Sequence, residues 1–171
     1  MDGHSISRQK IMDLEHLLER LAPLRKEGRI VFTNGCFDIL HPGHVDLLAR
    51  ARALGDVLVV GLNTDASVSG LKGPSRPVNP YMDRALVLSA LGSVDFVTGF
   101  SQPTPAGLIS AIKPNVLVKG GDWPVEAIAG RESVQASGGQ VVSLPLMPGY
   151  STTAILARIA ALADTGKLDQ P

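Results

Sequence analysis

The sequence predicts a three-layer α/β fold built on a five-stranded parallel sheet. Two observations carry this. Short runs rich in β-branched residues recur along the chain, and amphipathic helical patterns separate them, which is the signature of repeated strand–helix–strand units. The runs are also apolar throughout and do not alternate, as strands covered on both faces must be.

The elements follow in order. Ile11, Leu14, Leu17, Leu18 and Leu21 recur at helical spacing between Ser7 and Lys26 and predict one N-terminal helix. Strands are expected at Arg29–Thr33, Val57–Leu62, Asp95–Gly99, Asn115–Lys119 and Gln140–Leu144, each bounded by Gly, Pro, Asn or Asp. Helix entries are marked by Pro42 after His41, Pro80 after Asn79, and Pro105 after Thr104. Proline suits a first turn because its missing N–H has no partner to lose there. Ser151 is expected to cap a last helix reaching Ala163, with Ile155, Leu156, Ile159 and Leu162 as its buried stripe.

At 171 residues and 44% hydrophobic content, the chain is expected to form one domain over residues 1–171, with a helical extension at 1–27 and a catalytic core at 28–160. Sixteen basic and sixteen acidic residues cancel, so no long-range field favours nucleic acid or a membrane surface, and any anion site must be local. One cysteine, Cys36, excludes an internal disulfide framework. With no apolar leader and no run long enough to span a bilayer, a cytoplasmic protein is expected.

Ligands of parallel sheets bind beyond the carboxyl ends of the strands, so the residues after each run are the informative ones. After the first strand stands TNGCFDILHPGH, Thr33–His44. If a helix starts at Pro42, His41 and His44 flank its first turn, where unpaired N–H groups attract anions, and Gly43 allows close approach. Two histidines at this spacing supply only part of a zinc shell, and Cys36 has no cysteine partner. The remaining reading is structural: His41 as a cap and His44 packed on the sheet. The turn lacks G-x-G-x-x-G, which argues against a dinucleotide oxidoreductase.

The string GCFDILHPGH resembles the signature of the cytidylyltransferase-like nucleotidyltransferases, in which His-x-Gly-His follows the first strand of a Rossmann-like sheet. LKGPSRPVNPYMDRALVLSALGSVDFV, KPNVLVKGGDW and GYSTTAILARI follow in that family's order, from about Gly28 to Ile159. SRPVNP and LVKGGDW are similar to the branch that adenylylates D-glycero-D-manno-heptose 1-phosphate, known both as a stand-alone enzyme and joined to a sugar kinase; without a kinase segment, the stand-alone form is expected. Two departures stand out. Tyr81-Met82-Asp83 precedes Arg84 where an acidic or amide residue often adjoins the arginine. Met147-Pro148-Gly149-Tyr150 replaces an arginine and a glutamate of the glycerol phosphate branch, which argues against a cytidylyltransferase acting on an alditol phosphate such as glycerol 3-phosphate.

The resemblance implies transfer of AMP from ATP to a sugar 1-phosphate, with pyrophosphate released and an ADP-heptose formed for the lipopolysaccharide inner core. It implies His41, His44, Lys72 and Arg84 as catalytic residues. Thr33, Asn34, Gly35, Phe37, Gly43, Gly120, Asp122, Ser151, Thr152 and Thr153 would join the histidines around the nucleotide. Asp38, Lys72, Arg76, Lys119 and Trp123 would serve the acceptor. Lys72 is expected in a loop; Asp38 either binds Mg²⁺ indirectly or orients a sugar hydroxyl. Mg²⁺ is expected without a dedicated carboxylate cage, and a homo-oligomer, most simply a dimer, is expected. The competing reading from another class is a non-catalytic nucleotide sensor that keeps the same cleft.

Overall fold

The computed structural model describes residues 7–121 and 123–165. Five strands, β1 (Ile30–Gly35), β2 (Val57–Asn63), β3 (Phe96–Phe100), β4 (Val116–Gly120) and β5 (Gln140–Leu144), form one sheet in the order β3-β2-β1-β4-β5. All pairings are parallel, and Thr33 of β1 aligns with Val60 on one side and Val118 on the other. The chain runs outward from β1 through β2 to β3 and then crosses to β4 on the far side of β1. The ends of β1 and β4 therefore flank the point where the winding reverses, the position at which such sheets open a crevice.

The helices are α1 (Leu14–Leu24), α2 (Pro42–Arg52), α3 (Asp65–Lys72), α4 (Tyr81–Ser89), α5 (Ala106–Ile112), α6 (Arg131–Ala136) and α7 (Thr152–Asp164). Successive strand residues point to opposite faces, and the sheet accordingly carries two cores. On one face Ile30, Phe32, Val57 and Val59 pack with Leu17 and Leu21 of α1 and Ile109 and Ile112 of α5. On the other, Val31, Leu58, Val60 and Val118 pack with Leu47, Leu48 and Ala51 of α2 and Ala85 and Leu88 of α4. Each fully buried Val, Leu, Ile or Phe contributes about 1.5–3 kcal/mol over exposure. The N-terminal helix thus closes one core of the sheet.

Four expectations are corrected. The first helix is shorter than Ser7–Lys26: residues 10–12 run along the outer edge of β3, where Met12 N–H donates to Val97 O at 3.1 Å and Val97 N–H to Lys10 O at 2.8 Å. Asp13 then starts α1 by accepting from His16 N–H. Ile11 answers to a sheet edge that needed covering, which its helical spacing did not reveal. Lys72 does not lie in a loop but ends α3, which stops at Gly73 with φ 94°, a conformation favouring glycine. Pro80 and Pro105 are the residues just before α4 and α5, one place earlier than a first-turn proline. Finally, Ser151 caps α7 as expected, its Oγ accepting from Ala154 N–H at 3.1 Å, yet no residue of α7 is buried and Ile159 is 45% exposed.

Candidate active site

The turn after β1 is shaped by backbone as much as by side chains. Phe37 has φ 41°, and a Cβ on Gly35 would stand 3.0 Å from its ring, so this corner needs a glycine two places before the aromatic. Phe37 is buried and its ring meets His44 edge-on, with centroids 5.0 Å apart. His41 precedes α2 in extended conformation, and Pro42 brings no N–H to the first turn. The two imidazoles stack, with centroids 3.7 Å apart and planes 19° from parallel. Both Nδ1 atoms are buried without a hydrogen-bond partner.

This geometry sets the protonation state. Burial lowers the His44 pKa to about 4, with the charges of His41 and Lys72 adding in the same direction. Burial also lowers His41. The pair is therefore neutral near pH 7, and a neutral imidazole still donates one N–H. Lys72, exposed at the end of α3, is close enough for its charge to reach His44.

Gly43 has a further reason for being glycine. A Cβ there would lie 3.2 Å from the His41 ring and 3.2 Å from Tyr150 Cβ. Tyr150 immediately precedes Ser151, the cap of α7, so the starts of α2 and α7 are brought together. Thr152 and Thr153 open the first turn of α7. Two helix N-termini, each with a partial positive charge, thus lie close to one another.

Around this centre the expected residues divide. Asn34 and Gly35 end β1, and Lys119 and Gly120 end β4, all partly exposed at the reversal point. Burial lowers the Lys119 pKa, and its Nζ lies 5.9 Å from the centre of the half-exposed Trp123 ring. Asp122 lies outside the described residues. Thr33 is wholly buried within β1 with an unpaired Oγ1.

Three charged residues are engaged internally. Asp38, 2% exposed, accepts from Arg76 Nε and from the N–H groups of Val78 at 2.8 Å and Asn79 at 3.0 Å. Burial acts to raise its carboxyl, and the bonds from Asn79, Arg76 and Val78 outweigh it and hold the carboxyl below its ordinary value. Arg76 is thus held by Asp38, leaving one buried Nη2 unpaired. Arg84, expected to touch phosphate, is instead buried beneath the strand ends. It donates to Asn79 O, Cys36 O, Asn63 O and Asp65 Oδ1 at 2.7–2.9 Å. Asn63 and Asp65 stand among the residues after the second strand that sequence reading marks for inspection, without a role; Asn79 was marked only as the residue before a helix-entry proline.

Among the described residues no three His, Cys, Asp or Glu side chains gather into a metal site, and no helix is long and apolar enough to cross a membrane. A cavity of about 540 Å³ beside His41 is lined by Leu40, Pro42, Val45, Asp46 and Met147. A larger one, about 670 Å³, lies at the outer end of β3 among Met12, Thr64, Tyr81, Phe100 and Gln102. That lining has no Lys, Arg or His.

Known proteins resemble this chain in sequence and in fold. A family model described as cytidylyltransferase-like matches residues 32–158. The chain is 53% identical over 154 residues to the bifunctional protein HldE of Pseudomonas syringae pv. syringae (strain B728a), covering 90% of this chain and 32% of that protein. It is 57% identical over 143 residues to bifunctional protein HldE of Rhodopseudomonas palustris (strain BisA53), covering 83% and 29%. It thus spans about a third of the length of these curated relatives. Among solved structures, the lipopolysaccharide core biosynthesis protein from Thermoplasma volcanium GSS1 superposes with a TM-score of 0.56 at 25% identity, covering 70% of this chain and 97% of that one. Pantoate-beta-alanine ligase from Francisella tularensis, with a TM-score of 0.58 at 16% identity over 79% of this chain and 66% of that one, shares the fold.

Proposed function

The chain belongs to the cytidylyltransferase-like family, and from that premise we propose that it transfers AMP from ATP to D-glycero-D-manno-heptose 1-phosphate, giving ADP-heptose and pyrophosphate. The observation that carries this is the stacked, neutral histidine pair at the start of α2, with the start of α7 held against it through Gly43 and Tyr150. Such a site holds polyanions. The 53% and 57% identities to HldE proteins, together with the SRPVNP and LVKGGDW strings, favour the heptose acceptor.

The reaction is an in-line displacement. A sugar phosphate oxygen attacks the α-phosphorus of ATP, the bond from that phosphorus to the bridging oxygen breaks, and pyrophosphate leaves. The nucleophile is already ionised near neutral pH, since a second phosphate pKa is about 6, so no protein base is required. The protein's work is to align two polyanions and to stabilise charge growing on the transferring and leaving phosphates. His41 and His44 donate N–H groups to the triphosphate, the N–H groups and hydroxyls of Ser151–Thr153 hold it from the other side, and Lys72 reaches the phosphates from the end of α3. Asn34, Gly35, Lys119, Gly120 and Trp123 line the base and sugar positions; the same assignment for Asp122 rests on its sequence position.

Mg²⁺ would be held by phosphate oxygens and water, since Asp38, the carboxylate in the turn that carries the histidines, is already bonded to Arg76, Val78 and Asn79. Bound there, the metal supplies charge neutralisation of the phosphates. We also propose a homodimer, in keeping with an α7 that is apolar on most sides but buries none of its residues. A cytoplasmic location and delivery of the product to lipopolysaccharide core assembly complete the proposal.

The test is pyrophosphate release with a panel of ATP, CTP, heptose 1-phosphate anomers and glycerol 3-phosphate. Turnover with ATP and a heptose 1-phosphate is expected. Turnover only with CTP and an alditol phosphate overturns the choice, and nucleotide binding without any pyrophosphate marks a sensor.

A further inference from the structure

Four segments meet in one buried polar network. Asp38, in the turn carrying the histidines, accepts from Arg76, Val78 and Asn79, and its backbone oxygen accepts from Asn79 Nδ2 at 2.6 Å. The Asn79 carbonyl accepts from Arg84, which also donates to Cys36 O after β1, Asn63 O at the end of β2 and Asp65 Oδ1 at the start of α3. The second Asp65 oxygen accepts from Tyr81 N–H at the start of α4. Two cations thus balance two anions. The side chains of Asp38 and Arg84 are 1% and 0% exposed, so neither presents a surface to a substrate.

Lys72 lies between the two ends of this network. Its helix, α3, is tied at the start by Asp65 to Arg84. Within the helix, Ser69 Oγ donates to Arg76 O in the segment that follows it, and Arg76 is tied to Asp38. We propose that Asp38 and Arg84 are positioning residues whose shared network sets Lys72 against the histidine pair, and that Asp38 contacts neither metal nor sugar. The inference rests on the adenylyl-transfer reading for its kinetic consequences only. An exposed lysine on a flexible stem contributes to an aligned transition state only if its backbone is held, and misplacement by about 1 Å can reduce a rate about 10²-fold.

A double-mutant cycle separates positioning from direct contact. Asp38→Asn is expected to lower kcat about 10–50-fold with the KM for ATP changed less than about threefold, in line with lost alignment. In a Lys72→Ala background the same change is expected to lower kcat less than about threefold, because the group it positions is gone. A multiplicative loss, or a raised Mg²⁺ requirement in Asp38→Asn, overturns the proposal. Should that variant fail to fold, Asn79→Ala, which leaves both ion pairs in place, runs the same cycle with the same criteria. Hydrogen exchange at Val78 and Asn79, whose N–H groups Asp38 holds, is expected to speed up at least about tenfold in Asp38→Asn. If the wild type shows no turnover with any acceptor, the functional reading fails by itself; exchange then decides the network, and unchanged rates at both amides overturn it.

Discussion

Replacing His44 by alanine is expected to reduce kcat about 10²–10³-fold, the usual loss when one preorganised donor to a developing oxyanion is removed. The magnitude follows from the surroundings of the ring. Its neighbour His41 is stacked with centroids 3.7 Å apart, and Phe37 closes one edge. Two imidazolium charges about 4 Å apart repel by about 4 kcal/mol at an effective dielectric of about 20, so the pair does not charge together. With a His44 pKa of about 4, the ring stays neutral throughout an assay between pH 6 and 9. The assay is pyrophosphate release at saturating ATP and heptose 1-phosphate across that range. Wild type and His44→Ala are expected to differ in height and not in the shape of their profiles. Near-normal turnover in both His41→Ala and His44→Ala would return the pair to a packing role. An acid limb near pH 6–7 that vanishes with His44 would refute the neutral-donor argument and make the residue a proton carrier.

Arg84→Ala is expected to destabilise the fold by about 2–4 kcal/mol in urea melts, because it leaves three carbonyls without their buried donor, while the half-exposed Asp65 loses its cation to water. A loss below about 1 kcal/mol, the range of surface ion pairs, would count against the buried network. EDTA is expected to abolish turnover while leaving the thermal midpoint unchanged, since the metal is bound with substrate phosphates; a lowered midpoint would point to a resident site. Stability is expected to fall as pH drops from 6.5 towards 4. In that window the unfolded chain takes up the His44 proton and the folded chain does not, a contribution of roughly 1–2 kcal/mol after allowance for partial exposure. His44→Ala should flatten that slope, and an unchanged slope would remove His44 as its source. Ile159→Asp is expected to shift sedimentation from dimer to monomer with little change in the unfolding of the protomer; an unshifted boundary sinks the α7 interface.

The alternation of strands and helices, the sheet's parallel sense and the helix start at Pro42 were legible in residue patterns, because each depends on local spacing. A run such as VLVVGL has no polar face to expose, and His41-Pro42-Gly43-His44 joins a helix start to two ring donors within four residues. The parts that were misread depend on partners distant in sequence. Ile11 fits a helix by spacing, yet β3, more than eighty residues later, offered an edge to cover. The α7 stripe looks like a core face, although nothing in the described chain buries it. The sharpest case is the choice among carboxylates and guanidiniums. Asp38, Arg76 and Arg84 stand beside the phosphate motif in sequence order and carry the right charges, so composition and position alone select them as contacts. Only the folded geometry shows that 38 residues of separation vanish between Asp38 and Arg76, and 48 between Cys36 and Arg84. A charge satisfied in the interior has no field left to hold a ligand. By itself, then, the sequence determined where the strands end and which turn opens a helix between two histidines. Tertiary structure decided which charges face that turn and which hold it in place, because pairing and desolvation are set by neighbours in space.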